Sequence, residues 1–191
     1  MGDVLVPVVN ALIVLDADGE RLLAKYYDGR AKSEQTKLEQ FLHKKTKTAA
    51  ARADTEVLLN DSEVVVFRAG QECKFFLSSC SDENELVLAG VLDAIFEAVS
   101  QLLRSQVDKR TMLDNLELIL LTIDEAIDHG HIMELDPNAI VSRVLMRGSE
   151  SAAGSGAAGG QPDLSISQAF GIAREQFMRT MTSSTSRGDG Y

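Results

Sequence analysis

The sequence predicts an α+β fold, a five-stranded, mostly antiparallel sheet lying between helices in the order ββαβββαα. Two observations carry this. Strand-like segments come in groups of two and three, separated by one helical segment and followed by two, where a Rossmann pattern would alternate them. An Asp-Gly pair stands between the first two apolar runs, and glycine accepts the positive φ that a hairpin turn requires. The 45% hydrophobic and 25% charged composition is that of one globular domain with an appendage.

Residues 7–15 are almost continuously apolar, as expected of a central strand covered on both faces. Asp16-Ala17-Asp18-Gly19 follows, and residues 20–28 then place Leu22, Ala24 and Tyr26 on one face and Leu23, Lys25 and Tyr27 on the other. The acidic turn is not an EF-hand. Such a loop needs glycine at its sixth position and glutamate at its twelfth, and counting from Asp16 puts Tyr27 at the twelfth. Ser33 is the expected cap of a helix that carries Leu38, Phe41 and Leu42 and runs to about residue 53. Strands are expected at 56–60, 63–69 and 72–79, the last two joined at Gly70-Gln71.

Asp82 and Glu85 resemble a capping box opening a long helix, whose stripe is Leu88, Val91, Leu92, Ile95, Phe96, Val99, Leu102 and Leu103. A third helix is expected after Val107-Asp108, with Met112, Leu113, Leu116, Ile119, Leu120, Ile123 and Ile127 as core and Gly130 at its end. Residues 134–137 are extended, because a residue before proline avoids the helical region, and a short helix over 138–146 follows. The expected organisation is a folded domain over 1–148, a flexible Gly/Ala/Ser linker over 149–164, an amphipathic helix over 165–181 and a disordered tail over 182–191. In the helix, Ile166, Phe170, Ala173, Phe177 and Met181 form one stripe.

The chain offers little catalytic chemistry. No G-x-S-x-G elbow, Walker loop or H-E-x-x-H occurs. Gly154, Gly156 and Gly159 match G-x-G-x-x-G, yet they lie in the linker and not between a strand and a helix that could receive a pyrophosphate. His129 and His131, near Glu134 and Asp136, read as an exposed helix end and not as metal ligands. Cys73 and Cys80, seven apart in one strand, face opposite ways and read as buried free thiols. No cofactor is expected.

A net charge of −10 disfavours nucleic acid and anionic lipid as partners. Lys44, Lys45, Lys47 and Arg52 read as a solvated helix face. No apolar run reaches the ~18–20 residues that cross a bilayer, no signal peptide is evident, and Val6 breaks the myristoylation pattern at Met1-Gly2. The expected location is cytoplasmic.

Three stretches, "NALIVLDADGERLLAKYY", "IDEAIDHGHIMELDPNAIVSRVLMRG" and "SQAFGIAREQF", give the chain a resemblance to the zeta subunits of the coatomer (COPI) vesicle coat, a longin-fold family related to the small sigma subunits of clathrin adaptors. The positions that carry it are Gly130, Ile132, Glu134, Asp136, Pro137, Arg143 and Val144. Adaptor sigma chains typically have Thr and Lys where this chain has Asp136 and Pro137. Two departures stand out: His129 replaces a usual second glycine, and the linker is longer.

The resemblance implies a longin (profilin-like) fold and a non-enzymatic coat subunit. It implies binding to the trunk domain of the coatomer gamma subunit alongside other coatomer subunits, with an indirect link to an Arf-family GTPase. Membrane contact would come only through the assembled coat, peripheral on Golgi membranes and COPI vesicles, in Golgi-to-ER retrograde and intra-Golgi transport. Candidate partner-binding residues are Tyr26, Tyr27, Phe41, Asp136, Pro137 and Arg143, with Phe170 and Phe177 in the tail helix. The alternatives are a clathrin adaptor sigma-type small subunit, which would bind acidic dileucine peptides, or a longin-type regulatory module.

Overall fold

The computed structural model describes residues 9–49, 54–60 and 63–153, excepting the side chains of 147–153. Strands β1 (Ala11–Asp16), β2 (Arg21–Tyr26), β3 (Glu56–Asn60), β4 (Glu63–Ala69) and β5 (Cys73–Cys80) form one sheet in the order β2-β1-β5-β4-β3. Every pairing in it is antiparallel. Every residue of β1 is buried, as a strand flanked by neighbours and covered on both faces must be. The chain divides into two compact units, Met1–Val141 and Ser142–Tyr191, and the sheet belongs to the first.

Helix α1 (Lys32–Thr46) covers one face, where Leu38 and Leu42 meet Ala11, Ile13, Leu15, Val65, Phe67 and Phe76. Helices α2 (Glu85–Leu102), α3 (Lys109–Asp114) and α4 (Leu116–Ala126) lie on the other side. There Phe75 meets Phe96 edge-on at 5.2 Å, and the α2 stripe of Leu88, Val91, Leu92, Ile95 and Val99 is buried as its helical spacing predicts.

Several boundaries differ from the sequence expectation. The α1 cap is Ala31, two residues before Ser33, because Glu34 reaches back to the Ala31 amide at 3.3 Å. The helix stops at Thr46, well short of residue 53. Thr46 Oγ1 bonds back to the Leu42 carbonyl, and Lys74 Nζ donates to the Thr46 carbonyl. The α2 cap is Asn84 and not Asp82, its side chain accepting from the Leu86 amide at 2.9 Å.

The expected third helix is two helices broken at Asn115, and it ends at Ala126. Ile127–Asp128 and His131–Ile132 then form the short strands β6 and β7. His129 (φ 48°) and Gly130 (φ 83°) both adopt left-handed backbone, the signature of a type I′ two-residue hairpin turn. The two histidines therefore belong to a hairpin and not to a helix end. Leu113 is exposed, against its expected core role, as is Cys80, whereas Cys73 is buried and its thiol is pushed up to about 12, chiefly by burial. Helix α5 (Pro137–Ala153) extends beyond the expected end at Met146 and seven residues of it run on past that point in the backbone trace. The linker beyond it, the helix over 165–181 and the tail lie outside the described residues.

Candidate partner-binding surface

Tyr26 ends β2 and Tyr27 follows it directly, so the extended backbone sends the two side chains to opposite faces. Tyr26 joins the α1 side, packed against the same buried cluster as Phe41. Its hydroxyl donates to Glu39 Oε1 at 2.8 Å, and Arg21 pairs with that same oxygen at 2.6 Å. The guanidinium carbons of Arg21 and Arg30 each lie 5.6 Å from the Tyr26 ring centroid. Burial first, and then the bond to Glu39, raises the Tyr26 phenol well above its ordinary range. Both the ring and the hydroxyl are thus engaged within the chain.

Arg30 ties this corner together through Asp28, at 2.7 Å from its Nε, and through Glu63 of β4. Burial alone would lower the arginine's pKa, but the hydrogen bonds it donates to these two carboxylates outweigh it and the net shift is upward. Phe41 is half-buried, with Lys45 Nζ 5.6 Å from its ring. Together with Arg30, Glu34, Lys37 and Leu38 it lines an open recess of about 300 Å³.

Tyr27 faces the other side of the sheet. Its hydroxyl is buried and makes no hydrogen bond, and burial, followed by the nearby Asp128, pushes the phenol up to about 12. A second open recess, about 400 Å³, is lined by Gly70, Phe96, Ser100, Ser105, Val107 and Asp108.

Asp136 and Pro137 open α5. The Asp136 carboxylate accepts from the Asn138 amide at 3.0 Å, and Pro137 occupies the first helical position, where its missing N–H costs nothing. Glu134 Oε1 accepts from the Leu135 and Asp136 amides, fixing the extended approach. Arg143 is exposed on α5 and engaged in an interaction of its own. The structure therefore brings Tyr26 and Phe41 together, leaves Tyr27 on the opposite face, and puts Asp136 and Pro137 at a helix start. Phe170 and Phe177 lie outside the described residues.

Exposed apolar side chains that the sequence reading did not single out are Val57, Leu59, Leu86, Val87, Met133 and Leu135. Leu86 and Val87 lie off the regular α2 stripe, and that irregularity was the available signal. Among the described residues, no cluster of His, Cys, Asp and Glu is arranged to hold a metal ion, and no helix is long and apolar enough to cross a membrane.

A five-stranded antiparallel sheet with α1 on one face and α2, α3 and α4 on the other is a longin-like α+β architecture. Comparison with known proteins agrees. The family of clathrin adaptor complex small chains matches residues 8–151. Coatomer subunit zeta-2 of Arabidopsis thaliana is 38% identical over 92% of this chain and 96% of its own length. Coatomer subunit zeta-1 of Homo sapiens is 41% identical over 74% of this chain and 79% of its own. A chain in a homology model of the full-length AP-3 complex in a stretched open conformation shares the fold, with a TM-score of 0.57 at 15% identity, over 76% of this chain and 98% of its own. The chain belongs to the clathrin adaptor complex small chain family, on the branch of the coatomer zeta subunits.

Proposed function

We propose that this chain is the small subunit of a COPI-type vesicle coat and that it works as a binding module, with no reaction of its own. One observation carries the reading: similarity to a coatomer zeta subunit spans 92% of this chain and 96% of that relative, so it extends past the shared adaptor fold. In this reading the subunit pairs with the helical trunk of the coatomer gamma subunit. The assembled coat, recruited by a GTP-bound Arf-family GTPase, serves Golgi-to-ER retrograde and intra-Golgi transport. The net charge of −10 supports a division of labour in which other components contact the anionic membrane.

Such an obligate interface typically buries more than ~2,000 Å². Tyr27, Phe41, Asp136, Pro137 and Arg143 are its proposed contributors, and Tyr26 supports them from within, because its polar and aromatic groups are occupied inside the chain. Affinity purification from native cytosol tests the reading. The expected result is one coatomer gamma chain per copy of this protein. Recovery with a clathrin-adaptor large chain, together with binding of acidic dileucine peptides, would instead establish a sigma-type role.

A further inference from the structure

The helical layer on the α2 side of the sheet is incomplete. Helix α4 lies over β2, where Asp124 pairs with Lys25, and α2 packs on β4 and β5. Among the described residues no helix covers β3 on this side. Val57 and Leu59 pair with Val66 and Val64, so they share the face of those residues, the one opposite the Leu58, Val65 and Phe67 that meet α1. Val57 is 48% exposed and Leu59 74%.

The wall beside them is one side of α2. Thr55 Oγ1 donates to Asp93 Oδ1 at 2.6 Å, and Arg68 reaches that oxygen at 2.9 Å, which turns the Asp93 side of the helix toward β3. Leu86 stands two helical turns before Asp93 on that side, with Gly90 between them. A rise of roughly 3.3 Å per strand residue against roughly 1.5 Å per helix residue puts Leu86 level with Leu59 and Gly90 level with Val57. Leu86 is 81% exposed. A Cβ added at Gly90 would meet nothing within 4 Å. A glycine inside a helix is costly relative to alanine, and no contact among the described residues demands this one. What it provides is a gap through which a second helix can approach α2 closely.

Charge defines the occupant. Asp82, Glu83 and Glu85 rim the open end, and residues 75–103 contain neither Lys nor Arg. Arg68, beside the groove, is committed to Asp93 and to the face of Phe96, 4.2 Å away.

We propose that the β3–α2 groove, floored by Val57 and Leu59 and walled by Leu86 and Gly90, docks a cationic amphipathic helix of another protein. The incoming helix completes the layer beside α2, sets an apolar ridge on the two β3 side chains and places Lys or Arg against the acidic rim. This docking surface involves none of the residues assigned above to the coat interface, and it stands whether or not the coat reading holds.

Fluorescence anisotropy with two synthetic helices of about five turns tests it, one of Leu and Lys and one of Leu and Glu. The full-length chain binds the Leu/Lys helix and not the Leu/Glu helix. Leu59→Asp and Leu86→Asp each weaken binding about tenfold or more, and Gly90→Phe does the same by filling the gap. The aspartates make the chain more acidic, so purely non-specific attraction would strengthen in those variants. Unchanged melting curves exclude misfolding, since both leucines are exposed, and Glu85→Lys weakens binding about threefold without touching an apolar group. Equal binding of the two helices, binding of neither, or retention of affinity in both aspartate variants overturns the proposal. So does self-association of the chain that Leu59→Asp abolishes, which would make a second copy the occupant.

Discussion

The two faces of the sheet are closed by different means. On one, α1 buries only Leu38, Glu39, Leu42 and Thr46 and carries Lys32, Lys37, Lys44 and Lys45 outward. It is fastened by polar ties such as Tyr26 to Glu39 and Arg30 to Glu63. On the other, α2 buries Leu88, Val91, Leu92, Ala94, Ile95, Ala98 and Val99, carries no cation, and leaves apolar side chains open beside β3. A sheet sealed by burial on one side can hold its shape while the polar side and the open edge meet other molecules. That division suits a module that works by contact.

The largest expected effect separates the two helices. Ile95→Ala, at a fully buried site, lowers unfolding stability by about 3 kcal/mol, while Phe41→Ala, half-buried on α1, costs about 1 kcal/mol. Urea denaturation reads both, and equal losses would erase the contrast. Next comes the β1–β2 hairpin beneath α1. Gly19 has φ 86°, and a Cβ there would come within 2.5 Å of the His43 ring, so Gly19→Ala destabilises by about 2 kcal/mol. An unchanged midpoint would mean that α1 shifts freely over the hairpin. On the far side His129 holds a positive φ that glycine adopts without strain, and His129→Gly stabilises by about 1 kcal/mol.

Smallest at neutral pH is the tie from β1 to α3. The Asp16 carboxylate is 3% exposed and receives Lys109 Nζ at 2.6 Å as well as the amides of Asp18 and Glu20. Burial alone would raise its pKa, but these bonds together hold it below the ordinary carboxylate value. Its contribution is complete above the unfolded pKa, near 3.8, and is lost as pH falls through the depressed folded value. Asp16→Asn should flatten the acid limb of the stability profile and leave its alkaline limb unchanged.

Sequence periodicity foretold the sheet and the buried stripe of α2, because burial on a regular element repeats at a fixed period, and the Asp-Gly pair foretold the hairpin at Gly19. Helix ends were less legible. Ala31 became the α1 cap through a side chain three residues ahead, and Lys74, 28 residues away, helps to end that helix. The break at Asn115 and the β6–β7 hairpin interrupt an apolar series that reads as one helix, since Ile127 is buried whether in helix or strand. The groove beside β3 was hidden for a related reason. Apolar residues on a strand read as core until the sheet order shows which strand is the edge and which neighbour fails to cover it.

The direct test of the central claim, that this chain functions by presenting a folded surface to a larger helical partner, is co-expression with the trunk of a coatomer gamma subunit followed by size-exclusion chromatography with light scattering. The account predicts a single peak with the mass of one copy of each chain. Separate elution of the gamma trunk and a well-behaved monomer of this chain would contradict it.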